Sequence, residues 1–166
     1  MPLPSPPMPL EVPAVVTLAH AEPRDVDAIV ALCTELDGFY GVAVAADTAS
    51  VRAERVRSAL FGEWPAGRAL LAWDGEVLAG FAGYQFIWPS SALTTSLYLK
   101  ELYVTSAYRR TGVGRLIMER LREIAVLSGC TRLEWTADVE NEASQSFYQS
   151  LGAVPLETKL FYRLTL

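Results

Sequence analysis

Histidine is almost absent from this chain: its 166 residues include one, His20. Any site that needs two imidazoles is therefore excluded. Cysteine is nearly as scarce, and Cys33 and Cys130 lie far apart, without the spacing of a metal or redox pair. They read as small buried apolar side chains, which suits a reducing, cytoplasmic setting. Basic charge is in deficit, with 14 Lys and Arg against 19 Asp and Glu, for a net charge of −5. Attachment to nucleic acid or to an anionic membrane needs the opposite balance, so neither is expected as a partner. No apolar run approaches the ~18 residues of a spanning helix.

What is present is a packed-globule composition, 51% hydrophobic and 20% charged, at the length of one ordinary domain. Pro2, Pro4, Pro6, Pro7, Pro9 and Pro13 crowd the start, where they block both helix and strand ladders. Residues 1–13 are therefore expected to form a flexible leader, and 14–166 a single domain.

Within that domain strand and helix patterns alternate. Ala14–Leu18 reads as a strand. Pro23 and Asp25 open a helix with Val26, Ile29, Val30 and Cys33 at helical spacing, ending near Gly38. A second helix is expected over Ala49–Leu60. Ala69–Trp73 and Glu76–Ile87 flank Asp74-Gly75, a hairpin signal, and Gly80 and Gly83 suggest a bulge or a close backbone neighbour. Leu97–Val104 is a strand, followed by a helix over Gly112–Ser128 with an apolar stripe of Val113, Leu116, Ile117, Leu121, Ile124 and Ala125. Thr131–Thr136 is a strand, Glu142–Leu151 a helix and Lys159–Leu166 a last strand. Antiparallel strands followed by a strand–helix–strand crossover predict an α/β (α+β) fold, with a mixed, mostly antiparallel sheet.

The most informative segment joins Leu102-Tyr103-Val104 to Arg109-Arg110-Thr111-Gly112-Val113-Gly114-Arg115. A strand leads to two glycines at a helix start, among three arginines. Glycine lets backbone N–H groups turn inward, the helix N-terminus adds partial positive charge, and arginine supplies paired donors, so the combination suits a pyrophosphate. A Walker loop is excluded because Arg115-Leu116 follows the second glycine, and a dinucleotide fingerprint because Ile117 stands where a third glycine belongs.

Arg109, Gly112 and Gly114 resemble the Arg/Gln-x-x-Gly-x-Gly/Ala motif of the GNAT acetyltransferases. Asn141 to Ala153 resembles a second block of that family, Asn-x-x-(Ala/Ser)-x-x-Phe-Tyr-x-x-x-Gly-Ala. Tyr98 to Val104, Gly129 to Trp135 and Phe161 to Leu164 are similar to the branch holding spermidine/spermine and thialysine N-acetyltransferases. Where that branch carries an acidic pair, this chain has Lys100-Glu101, and Glu140 stands in place of a tryptophan.

The resemblance implies a GNAT-like sheet with splayed parallel strands at its centre and helices on both faces. It implies acetyl-CoA as co-substrate, no metal, a homodimer, and N-acetylation of a small, cationic primary amine by direct attack in a ternary complex. The cofactor would lie along Leu102, Tyr103 and Val104 and in the loop Arg109, Arg110, Thr111, Gly112, Val113, Gly114 and Arg115, with Asn141 and Tyr148 beside it. Tyr148 would be the general acid for the leaving sulfur, or else an aromatic packing beside Phe147. Glu101 would accept the amine proton, or else be a surface carboxylate. Asn141 caps its helix and, on the fuller reading, touches the cofactor. Asp138, Glu140 and Glu142 would border a cationic acceptor. Two other readings stay open: a non-catalytic acyl-CoA-binding protein, and an acetyltransferase acting on protein or peptide amines.

Overall fold

The computed structural model describes residues 15–41 and 48–166, so the expected leader over 1–13 lies outside the described residues. The strands are β1 (Thr17–His20), β2 (Arg68–Asp74), β3 (Val77–Ile87), β4 (Thr95–Val104) and β5 (Cys130–Trp135). The helices are α1 (Val26–Phe39), α2 (Ala49–Phe61), α3 (Val113–Leu127) and α4 (Glu142–Ser150). No helix among the described residues is long and apolar enough to cross a membrane.

The strands lie side by side in chain order, antiparallel from β1 to β4, and β5 runs parallel to β4. Each face of this mixed sheet is covered, as expected. On one, Ile29, Leu32 and Leu36 of α1 pack on Leu71, Phe81 and Tyr103, with Val56 and Leu60 of α2 at their side. On the other, α3 lays Val113, Ile117, Leu121 and Ala125 on Leu70, Ala72, Ala82, Leu97 and Leu99. That i, i+4, i+8, i+12 row is the axis of the buried stripe. It brings in Met118 and leaves Leu116 38% exposed, so the stripe is turned slightly from the one the sequence predicts.

Two expectations are corrected. The parallel pair forms an edge of the described sheet rather than its centre, because Lys159–Leu166 is not a strand. Leu160, Phe161, Tyr162 and Leu164 are each more than 60% exposed, so that segment is packed on neither the core nor β5. Smaller shifts concern boundaries. The first strand sits at Thr17–His20, where it pairs with Leu70–Trp73, and the β2–β3 turn is Gly75-Glu76, since Asp74 pairs with Val77.

The glycines of β3 carry the expected information. A Cβ on Gly80 would stand 2.7 Å from the Tyr103 carbonyl oxygen, so β4 approaches there as only glycine permits. Beyond it the register slips: Gly83 pairs with Glu101 but Tyr84 with Leu99, which leaves Lys100 as the extra residue of a bulge in β4. Leu97 and Leu99 face α3, and after the bulge Leu102 and Val104 take over that face. Glu101 is thereby turned, with Tyr103, toward α1.

Candidate active site

The site begins where β4 and β5 part. Their pairing runs from Thr95↔Cys130 to Leu99↔Trp135 and stops, while β4 continues to Val104. Over 100–104 the β4 edge toward β5 thus has no strand partner. Unpaired main-chain groups on a strand edge offer hydrogen bonds to an extended, amide-bearing ligand.

Beyond β4, Ser106–Tyr108 forms one 3-10 turn, Arg110 has φ 60°, and Gly112 caps α3 with φ 97°. A side chain on Gly112 would meet nothing within 4 Å, so open space lies beside the first N–H groups of a 15-residue helix. Those N–H groups have no carbonyl four residues back. The turn is braced from below: Thr111 Oγ donates to the Tyr108 carbonyl at 2.6 Å, and Tyr108 Oη donates to Asp74 Oδ2 at 2.7 Å. Gly114 serves packing instead, since a Cβ there would sit 3.3 Å from Phe147 Cζ. The arginines do not converge on the opening as a set. Arg115 donates to Ser150 Oγ at 3.0 Å, tying α3 to α4, and Arg109 Nε donates to the Val104 carbonyl at 3.1 Å. Arg110 is exposed.

Three titratable groups from distant parts of the chain meet near the strand gap. Glu101 is half-buried; burial raises its pKa, against the pull of Lys100, the Leu102 N–H and the Tyr40 hydroxyl, both of the latter hydrogen-bonded to its carboxylate. Tyr148 is pushed up to about 12, by burial first and then by the charges of Glu101 and Tyr40. Its ring lies 4.9 Å from that of Trp135 and 5.2 Å from that of Phe147. So the two residues expected to work as base and acid feel one another across the gap. Lys100, at the bulge, is exposed.

Tyr40 was not singled out by the sequence. Its pKa is raised by burial, by Glu101 and Asp138, and by its hydrogen bond to Glu101. The only local signal is an aromatic pair, Phe39-Tyr40, at the end of α1; that it faces β4 depends on the packing of α1. Asn141 Oδ1 accepts the Ser144 N–H at 3.0 Å, the expected helix cap. The preceding turn is held by Gln145 Nε2, which donates to the Val139 carbonyl at 2.6 Å. That turn and the end of α1 enclose a cavity of about 650 Å³ lined by Phe39 and by Asp138, Val139, Glu140, Asn141, Glu142 and Ala143. Three carboxylates and an aromatic ring give its mouth the chemistry of an ammonium site. Among the described residues no cluster of His, Cys, Asp and Glu could hold a metal ion.

A pH effect follows from this geometry. A Glu101 that serves as the expected base must be ionised, so kcat/KM is expected to fall as pH drops through its raised pKa. Tyr148 keeps its proton throughout. Tyr40→Phe removes a donor that favours the carboxylate, so the acidic limb moves to higher pH. Rate–pH profiles of both proteins with one amine check this; coincident limbs would separate Tyr40 from the base.

Parallel strands that part and an open helix N-terminus lie side by side, and the chain belongs to the Acetyltransferase (GNAT) family, whose pattern matches residues 31–153. The chain is 31% identical to the human spermidine/spermine N(1)-acetyltransferase-like protein 1 over 86% of its own length, which is 21% of that protein. It is 28% identical to the Bos taurus thialysine N-epsilon-acetyltransferase, over 86% of each chain. Among solved structures, an integron cassette protein from the V. cholerae mobile metagenome superimposes with a TM-score of 0.82 at 29% identity, over 90% of this chain and 92% of that one. The chain is an acetyltransferase of this family, as its motifs implied.

Proposed function

We propose that the protein transfers an acetyl group from acetyl-CoA to the primary amine of a small cationic acceptor, by direct attack with both substrates bound. The reading is supported by the gap between β4 and β5, where the Glu101 charge acts on Tyr148, and by the acidic cavity of Phe39 and the 138–143 turn. The residues present fit acetyl-CoA: the unpaired edge at Leu102, Tyr103 and Val104 suits its amide-bearing arm, and the opening at Thr111, Gly112, Val113 and Gly114 its pyrophosphate. When bound, it supplies the acetyl group as an activated thioester.

The chain's own residues then do three things. Glu101, directly or through one water, takes the proton of the incoming ammonium so that nitrogen presents a lone pair. Main-chain N–H groups of the β4 edge stabilise the negative charge growing on the acyl oxygen. Tyr148, still protonated, donates its phenolic proton to the departing sulfur, and the proton that the nitrogen sheds on becoming an amide restores the phenol. Asn141 and Gln145 fix the acidic turn, so that Asp138, Glu140 and Glu142 face a second positive group on the acceptor.

Residues 14–166 act as one N-acetyltransferase domain on this reading. Two cysteines without a disulfide favour the cytoplasm. A homodimer belongs to the same reading, supported by the open outer edge of β5 and the exposed apolar residues of 160–166.

The two relatives differ in their named substrates, a polyamine-type name and thialysine, and Lys100 favours the latter. A cation at the bulge beside Glu101 repels the extra charges of a polyamine. We expect a higher kcat/KM for a thialysine-like amino acid than for spermidine. Lys100→Glu should shift the ratio toward spermidine by about fivefold, the ~1 kcal/mol reach of an exposed charge. Preference for spermidine in the wild type, unchanged in Lys100→Glu, would contradict it.

A further inference from the structure

We propose that Arg109 is a positioning residue for the acceptor: its side chain holds Phe39, the aromatic wall of the acidic cavity, against the loop that enters α3. The inference rests on the acetyltransferase reading, and departs from the expectation that this guanidinium binds phosphate.

The Arg109 guanidinium carbon lies 4.7 Å from the centroid of Phe39 and 5.6 Å from that of Tyr103, both within cation–π range. Its Nε–H is spent on the Val104 carbonyl at 3.1 Å. The planar group is thereby fixed at one edge and flanked by the two rings, while Arg109 as a whole stays exposed. The rings themselves are 6.2 Å apart and tilted by 59°. Tyr103 is the fixed member: it is 6% exposed, and its hydroxyl donates to Glu35 Oε1 at 2.8 Å. Glu35 lies one helical turn before Phe39, so Tyr103 and Arg109 grip the last turn of α1 at two successive levels.

Phe39 needs that grip. It is the last residue of α1, 55% exposed, and its other ring neighbour is the equally exposed Tyr40 at 5.3 Å. Phe39 also lines the cavity with the 138–143 turn. The contacts to the Val104 carbonyl and to the two rings hold the guanidinium on the Phe39 side of the loop. The loop offers other donors to an anion at that point, the first N–H groups of α3 and the exposed Arg110. Arg109 therefore acts on the amine side through Phe39, although it sits in the cofactor motif.

The test separates the two sides of the site with Arg109→Met, Arg109→Lys and Phe39→Leu. We expect KM for the amine to rise about fivefold in Arg109→Met and in Phe39→Leu, in line with an exposed cation–π contact. The acetyl-CoA dissociation constant, from calorimetry, should stay within twofold. The double variant should be no worse than either single one, because both remove the same contact. Arg109→Lys should not restore the amine KM, since lysine has neither the planar face nor the Nε–H. Acetyl-CoA affinity that falls tenfold in Arg109→Met and returns in Arg109→Lys, with the amine KM unmoved, would make Arg109 a phosphate ligand and overturn the proposal. Should the wild type acetylate no amine, the functional reading fails alone. NMR then decides the strut: an Arg109 Hε signal shifted upfield by the rings and restored by Phe39→Leu supports it, and an unshifted one refutes it.

Discussion

Replacing Tyr148 with phenylalanine should lower turnover by about 10²–10⁴-fold, the usual worth of a positioned general acid. The phenol loses one oxygen and keeps its ring, so stacking on Trp135 and Phe147 survives and the fold is little affected. Acetyl-CoA affinity should change far less than turnover, because a hydroxyl is the only group removed. With a pKa near 12, Tyr148 is a weak acid at neutral pH, and it holds its proton until the departing thiolate can take it. The effect should also depend on the leaving group: an acyl donor with a more acidic thiol has less need of a proton and should lose less. Steady-state kinetics with two such donors check both statements. Equal turnover of the two proteins, with the chemical step limiting, would reduce Tyr148 to a packing residue.

Gly112→Val should remove acetyl-CoA binding. Two independent costs meet at this position. The backbone has φ 97°, a region that a β-branched residue adopts only with strain of about 1–3 kcal/mol. A side chain there also projects into the open space where the helix N-terminus would receive the pyrophosphate. Since no protein atom lies within 4 Å of the added Cβ, the strain is not compounded by a clash. The domain should therefore still unfold cooperatively, with Tm lowered by roughly 2–4 °C per kcal/mol of that strain. Gly112→Ala separates the terms, keeping the strain and dropping most of the bulk, and should retain part of the affinity. Calorimetry on the valine variant that returned the wild-type affinity would place the cofactor elsewhere.

The α3 and α4 ends of the site were legible in the sequence because they are built from local rules. Two glycines before a periodic apolar stripe announce α3, and Asn141 ahead of its helix announces the cap of α4. The sheet's antiparallel part was legible from alternation and from the β2–β3 turn. What lay beyond reach was produced by contacts between distant segments. Strict alternation puts Glu101 on the face of Leu99, and only the extra residue at Lys100 turns it toward α1. Tyr40 enters because α1 packs across Tyr103. The arginines of the glycine loop looked equivalent as letters, yet Arg115 is bonded to Ser150 and Arg109 lies on two aromatic rings. The apolar ending looked like a strand, but a strand must pair along an edge and bury a face, and 159–166 does neither in this chain.

The measurement that bears most directly on the whole account is thiol release from acetyl-CoA by the wild-type protein, with and without a thialysine-like amine, repeated with Glu101→Gln. The account predicts release that depends on the amine, stoichiometric formation of the N-acetyl product by mass spectrometry, and a loss in Glu101→Gln of about 10²-fold or more near neutral pH. Release that ignores the amine, or an undiminished rate in Glu101→Gln, would contradict it.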